Sequence, residues 1–375
     1  MKRICFLILL LPFFAAKAQK QPYLLIGTYT TNNQSKGIYV YRFNTGNADN
    51  NFVSSVASSN PSYLAVSPNQ KFVYAVNEDA GSKKFPGGGA VSSYSFNAEE
   101  GILKEINTRY SGGKHPCYVA IDSTRKWLFT GNYSSGTVGL FPVNSNGSIG
   151  EMKQLLQHYG SGPDTARQRS AHVHSTILSA NQQYLFVPDL GIDKIMTYRF
   201  NHEQGALAAA PNPFAASVPG SGPRHFEFDR NNKFAYLVEE LTGTVVVYKF
   251  ENGELQQQQR ASALPAGFTG TIGSADIHLS PDGNFLYCSN RGSSNSISIF
   301  RVNKQDGKIV LIGHQSTLGK TPRNFNFDPS GDFLLVANQD SNEIVIFRIS
   351  RQTGFLTDTN KRINVPSPVC IKWIR

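Results

Sequence analysis

One two-strand unit recurs six times along the chain, and this internal repeat restricts the fold more than any other feature. Each copy has an alternating segment, a turn rich in Asp, Pro, Asn or Gly, and a second apolar segment. The pairs are PSYLAVSP (61–68) with KFVYAVN (71–77), PCYVAID (116–122) with KWLFTGN (126–132), HSTILS (174–179) with QYLFVPD (183–189), PRHFEFD (223–229) with KFAYLVE (233–239), DIHLSPDG (276–283) with NFLYCSN (284–290), and PRNFNFDPSG (322–331) with DFLLVAN (332–338). A third apolar segment follows each pair, as in TVVVYKF (244–250) and EIVIFRI (343–349). Period-two alternation bounded by turn residues marks strands. The pitch of about 46–56 residues suits one four-stranded propeller blade per unit.

The two chain ends supply a seventh unit. PVCIKW (368–373) matches a first strand, YLLIGTY (23–29) a second and GIYVYRF (37–43) a third. Pairing the ends closes a ring and removes the open edges of a linear array. The fold class is therefore all-β, a seven-bladed β-propeller with a composite closing blade. Residues 19–375 read as one domain, with the Gln256 to Gln259 run in an exposed outer loop.

Residues 1–18 read as a secretory signal. Lys2 and Arg3 precede an apolar run from Ile4 to Phe14, and Ala16-Lys17-Ala18 gives small residues at the cleavage spacing. The run is shorter than the roughly 20 residues of a membrane span, so no span remains after cleavage. The expected location is periplasmic or secreted. Losing Lys2, Arg3 and Lys17 lowers the formal charge from +10 to about +7, which favours an anionic ligand. The basic residues are scattered, which excludes a nucleic-acid partner. Cys117, Cys288 and Cys370 lie in apolar strand patterns, without metal or CxxC spacing, and read as buried thiols.

In a propeller the first strand lies nearest the axis and the second runs antiparallel to it. The starts of first strands and the ends of second strands therefore share one mouth. The starts carry His115, His172, His174, Arg224, His225 and Arg323. The ends carry Asn77, Glu78, Asn132, Tyr133, Asp189, Glu239, Glu240, Asn290, Arg291, Asn338 and Asp340. Proton-transfer groups beside fixed positive charge are what an active site requires. A plainer reading has the Asn and Asp residues shaping turns, Tyr133 packing, and His115 and Arg323 pairing at the channel wall.

At these residues the sequence resembles the seven-bladed lactonase family, which includes propeller-type 6-phosphogluconolactonases and carboxy-muconate cyclases. The matching segments are GSGP (160–163), Arg167-Gln168, His172-Val-His174, PDLGIDK (188–194), GPRH (222–225), VEE (238–240) and Asn290-Arg291, in that order. The resemblance implies a catalytic set of His174, Arg224, Glu239 and Arg291. His172, His225, Glu240, Arg167, His115 and Asn132 are expected to bind substrate. Glu239 and Glu240 should point to opposite sides of their strand, so one of them faces the channel, and a one-residue register change also exchanges His172 with His174.

The resemblance implies hydrolysis of a sugar-derived or other acidic lactone, with neither metal nor cofactor. Glu239 or His174 would activate water, and Arg224 and Arg291 would hold the oxyanion and the substrate anion. Three alternatives accompany this expectation. One is a lactonising cyclase on the same residues. The second is a non-catalytic envelope scaffold. The third places a divalent cation on the axis, ringed by Asn77, Asn132, Asp189, Asn290 and Asn338.

Overall fold

The second strand of each unit explains the architecture. Phe333–Asn338 is buried at every position, as are Phe285–Asn290 and Phe234–Glu239. A strand that is apolar on both faces needs a neighbouring sheet on each side, and a ring of radial sheets supplies both. The computed structural model, which describes residues 21–31 and 34–375, shows seven four-stranded antiparallel sheets. The proposed leader at residues 1–18 lies outside the described residues. The sole helical turn among the described residues is Gln339–Ser341.

Six sheets are built from consecutive strands. In the seventh, Pro368–Ile374 pairs with Tyr23–Thr28, which pairs with Gly37–Phe43 and then Asn50–Ala57. The register matches Leu25 with Lys372 and Ile26 with Ile371, so the ring closes as expected. Cores form between blades: Leu334 and Val336 pack with Tyr287 and Ile297 of the preceding sheet.

The outermost strands depart from the sequence reading. The Gln256 to Gln259 run lies within a regular strand, Glu254–Ser262, where Tyr248 pairs with Gln257. An edge strand has one neighbour and faces solvent, so backbone pairing alone sustains it and its side chains can be polar. A glycine joins the last two strands of each of six blades, with φ between 58° and 89° at Gly101, Gly147, Gly205, Gly253, Gly307 and Gly354. Each seats against an aromatic ring of the preceding blade. A Cβ on Gly205 would lie 1.9 Å from Trp127, and one on Gly354 would lie 2.5 Å from Phe285. The closing blade instead has Ala48 in this left-handed region, buried in the cluster that holds Phe333.

Candidate active site

Two backbone features aim side chains at the axis. The first is a bulge at the start of the inner strand. Pro223 pairs with Glu239 and His225 with Val238, leaving Arg224 unpaired. The same skip leaves Cys117 between Pro116 and Tyr118, Arg323 between Pro322 and Asn324, and Val369 between Pro368 and Cys370. A bulge redirects one side chain and bends the strand. Cys117, Arg224, Arg323 and Val369 thereby converge with Ser62 and His174 around a small axial cavity.

The second feature is parity at the end of the second strand. The last strand residue turns into the seam between blades, and the next one turns to the axis. Asn132 Nδ2 donates to the Ser111 carbonyl at 3.1 Å, Asn290 Nδ2 to that of Ala263 at 3.2 Å and Asn338 Nδ2 to that of Thr317 at 3.0 Å. Asn77 Nδ2 donates to the Ser59 carbonyl at 2.8 Å. Asp189 accepts from His158 Nδ1 at 2.7 Å and from the His172 amide at 2.6 Å. These side chains hold the segment entering each blade. They point into the seams rather than toward a common axial ring, and Asn132 is fully buried there.

Parity also separates the two glutamates, and it corrects the catalytic placement of Glu239. Glu239 is fully buried in the seam, where Arg260 Nη1 and Nη2 donate to its carboxylate at 2.9 and 2.5 Å. Glu240 occupies the axis. Its Oε2 accepts from Arg224 Nε at 2.8 Å and lies 3.0 Å from Arg291 Nη2. Its Oε1 accepts from Arg167 Nη2 at 2.6 Å, and His174 Nε2 stands 4.0 Å from the carboxylate. Burial disfavours the charge of Glu240, but Arg291, Arg224 and Arg167 hold its carboxyl well below the usual range.

The remaining groups settle around this centre. Burial, reinforced by Arg224, pushes His174 well below the usual histidine value, so its imidazole is neutral. Burial, with Arg224 and Arg323 nearby, draws Arg291 down to about 10 against the pull of Glu240. His172 stacks on Tyr133 with ring centroids 4.5 Å apart, and its Nδ1 donates to the Tyr133 carbonyl at 3.0 Å. His225 lies beneath His174 and meets Asp276. His115 turns to Ser134 Oγ at 2.7 Å rather than to the arginines.

Arg167 reaches the centre from an ordered loop. The neighbouring Gln168 is fully buried and donates to the Leu190 carbonyl and Asp193, each at 2.8 Å. A Cβ on Gly191 would lie 1.8 Å from the Ser170 carbonyl oxygen, which explains the glycine in that motif. Opposite Glu240, Tyr29 Oη donates to Glu78 at 2.9 Å, and Arg323 lies 3.9 Å from the same oxygen. Four guanidiniums, of Arg167, Arg224, Arg291 and Arg323, thus face two carboxylates, of Glu78 and Glu240. The excess suits an anionic ligand.

Tyr29 and Cys117 were not anticipated at the site. Tyr29 holds the closing-blade position equivalent to Glu240, and Cys117 the bulge position equivalent to Arg224. Counting register across repeats would have found both. Cys117 Sγ is 3.9 Å from His174 Nδ1, yet burial raises its thiol well above the usual range, so it remains protonated. Among the described residues, Cys117, Cys288 and Cys370 are buried and free.

Known proteins share this arrangement's fold. The family model described as "Lactonase, 7-bladed beta-propeller" matches residues 23–373. The 6-phosphogluconolactonase of Formosa agariphila is 40% identical over 336 residues, covering 89% of this chain and 94% of its own. That of Bacillus subtilis is 34% identical over 352 residues, covering 93% and 97%. The structure of the Pseudomonas aeruginosa periplasmic gluconolactonase PpgL superposes with a TM-score of 0.89 at 38% identity, covering 94% of this chain and 99% of its own. With seven blades in the ring and a match across nearly all of its length, the chain belongs to the seven-bladed β-propeller lactonase family.

Proposed function

We propose that this enzyme hydrolyses an anionic, sugar-derived lactone at the Glu240 mouth. The observation carrying this reading is a buried neutral imidazole, His174, set beside a carboxylate that organises three arginines. His174 accepts a proton from water as the water attacks the lactone carbonyl. Arg224 and Arg291 stabilise the oxyanion, and the proton returns to the ring oxygen as it leaves. Glu240 fixes the planes of the guanidiniums. Its depressed carboxyl makes it a poor base, so this role replaces the one first given to Glu239.

Arg167 and Arg323 hold the substrate's carboxylate or phosphate, with His172 and Tyr133 forming an aromatic wall. The relatives named for 6-phosphogluconolactone and gluconolactone support a sugar-acid lactone. The periplasmic relative, with the leader-like residues 1–18, supports export. No helix among the described residues is long and apolar enough to cross a membrane. The test is acid release from a lactone panel by the wild type and by Arg224→Ala and His174→Ala. Turnover lost in both variants supports the reading, and near-normal turnover in either refutes it.

A further inference from the structure

Hydrolysis of a lactone at neutral pH releases one proton. Water oxygen bonds to the carbonyl carbon, the ring carbon–oxygen bond breaks, the ring oxygen becomes a hydroxyl with the proton His174 returns, and the new carboxylic acid then ionises by giving its own proton to the neutral His174. A substrate seated on Arg224 and Arg291 covers the mouth nearest that proton.

Beneath the mouth runs a chain of titratable groups that the chemistry itself does not use. The His225 ring packs edge-to-face against that of His174, centroids 5.3 Å apart, and both line the small axial cavity, whose volume of about 10 Å³ is close to that of one water. His225 Nδ1 meets Asp276 Oδ1 at 2.6 Å. The other Asp276 oxygen meets His278 Nε2 at 3.1 Å, and His278 Nδ1 meets Glu227 Oε2 at 2.6 Å. Arg224 and Glu227 lie toward opposite ends of one inner strand, Pro223–Phe228, so the chain leads away from the mouth. His225, Asp276, His278 and Glu227 all line one cavity, together with Tyr63 and Lys372, so the chain runs along its wall. The Asp276 side chain is 1% exposed and that of Glu227 is 30%.

The geometry suits transfer. His278 bridges with both nitrogens, Nε2 to Asp276 and Nδ1 to Glu227, and His225 meets Asp276 through Nδ1. Asp276 joins them with separate oxygens and is held in place by Asn324 Nδ2 and the Ile277 amide. Burial, with Arg224 beside it, draws His225 down to about 4. Although burial opposes its charge, Asp276 and Glu227 raise His278 to about 10. His278 thus binds its proton more tightly than His225, and although burial opposes its charge, the two imidazoles hold the Asp276 carboxyl between them well below the usual range. A line of buried ionisable groups is costly compared with apolar packing, so stability alone does not account for it.

We propose that His225, Asp276, His278 and Glu227 form a proton exit path from His174 to the opposite face of the propeller. The path rests on the hydrolytic reading above. A proton enters at His225 as another leaves His278 for Glu227 and solvent, so charge balances at every step.

The test follows lactone turnover with a pH indicator in dilute buffer, for wild type, His278→Gln and Glu227→Gln. The second variant sits at the partly exposed end and preserves shape if the first misfolds. Expected is a kcat about tenfold lower with KM unchanged, restored by added imidazole, which accepts the stranded proton directly. A kcat equal to wild type in dilute buffer overturns the path alone, as does a loss that imidazole fails to restore. Absence of turnover by wild type overturns the hydrolytic reading, and the path with it.

Discussion

Glu239 and Glu240 are adjacent, buried and both paired with arginine, yet they belong to different parts of the molecule. Glu239 is a seam residue with one charged partner, Arg260, whose side chain is 25% exposed, and a hydroxyl donor, Thr242. Glu240 is an axial residue gathering Arg167, Arg224 and Arg291 from three separate segments. The seam positions hold each blade to the chain entering it, and similar residue types, Asn or Asp, recur there. The axial positions vary: Tyr29, Glu78, Tyr133, Glu240 and Arg291. A repeated architectural task favours one solution at every blade, whereas a site needs different groups from each.

The sharpest way to break this contrast is Glu240→Gln. Three inward guanidiniums would lose their counter-charge, costing about 3–5 kcal/mol in a urea titration. Turnover should fall about 10²–10³-fold as the arginines lose their alignment. A variant with wild-type kcat/KM would erase the distinction between axis and seam.

The pH profile gives the next largest effect. An ordinary histidine base would lose activity below pH 6.5, but burial holds His174 lower, so the acid limb of kcat/KM should lie well below that value. Stability should weaken in the same direction but from a higher pH. The folded His174 binds its proton less readily than the unfolded chain does, so its contribution weakens as pH falls through 6.5. An acid limb at 6.5 would remove His174 as the proton acceptor.

Glu239→Gln should cost about 1–3 kcal/mol in the same titration, with kcat/KM within about twofold of wild type. Asn338→Ala should be milder, about 1 kcal/mol, because one hydrogen bond to the Thr317 carbonyl is lost, again with turnover retained. A turnover defect in either would mean that the seam positions take part in the chemistry.

The ring and its closure were legible because the second strands are apolar on both faces, a pattern that Phe333–Asn338 shows plainly. The outermost strands were not, since Glu254–Ser262 carries no apolar alternation and depends on its pairing with Thr244–Glu251. His174, Arg224 and Arg291 were legible at the mouth, and so was the rule that only one of two adjacent glutamates faces it. Which one faces it depends on the turn after Glu239, and local pattern does not encode that. The His225–Asp276–His278 chain was hidden for another reason: its members come from adjacent blades and meet only when the inner strands lie side by side.

The composite blade has a temporal meaning. Of the propeller strands described, Tyr23–Thr28 is synthesised before all the others and its inner neighbour, Pro368–Ile374, after all of them. Every other blade can finish from local chain, but the axis has a gap until that strand docks, with Leu64 still lacking its contact from Cys370. Loss of even this short tail should therefore disable a site whose charged residues all lie upstream of it.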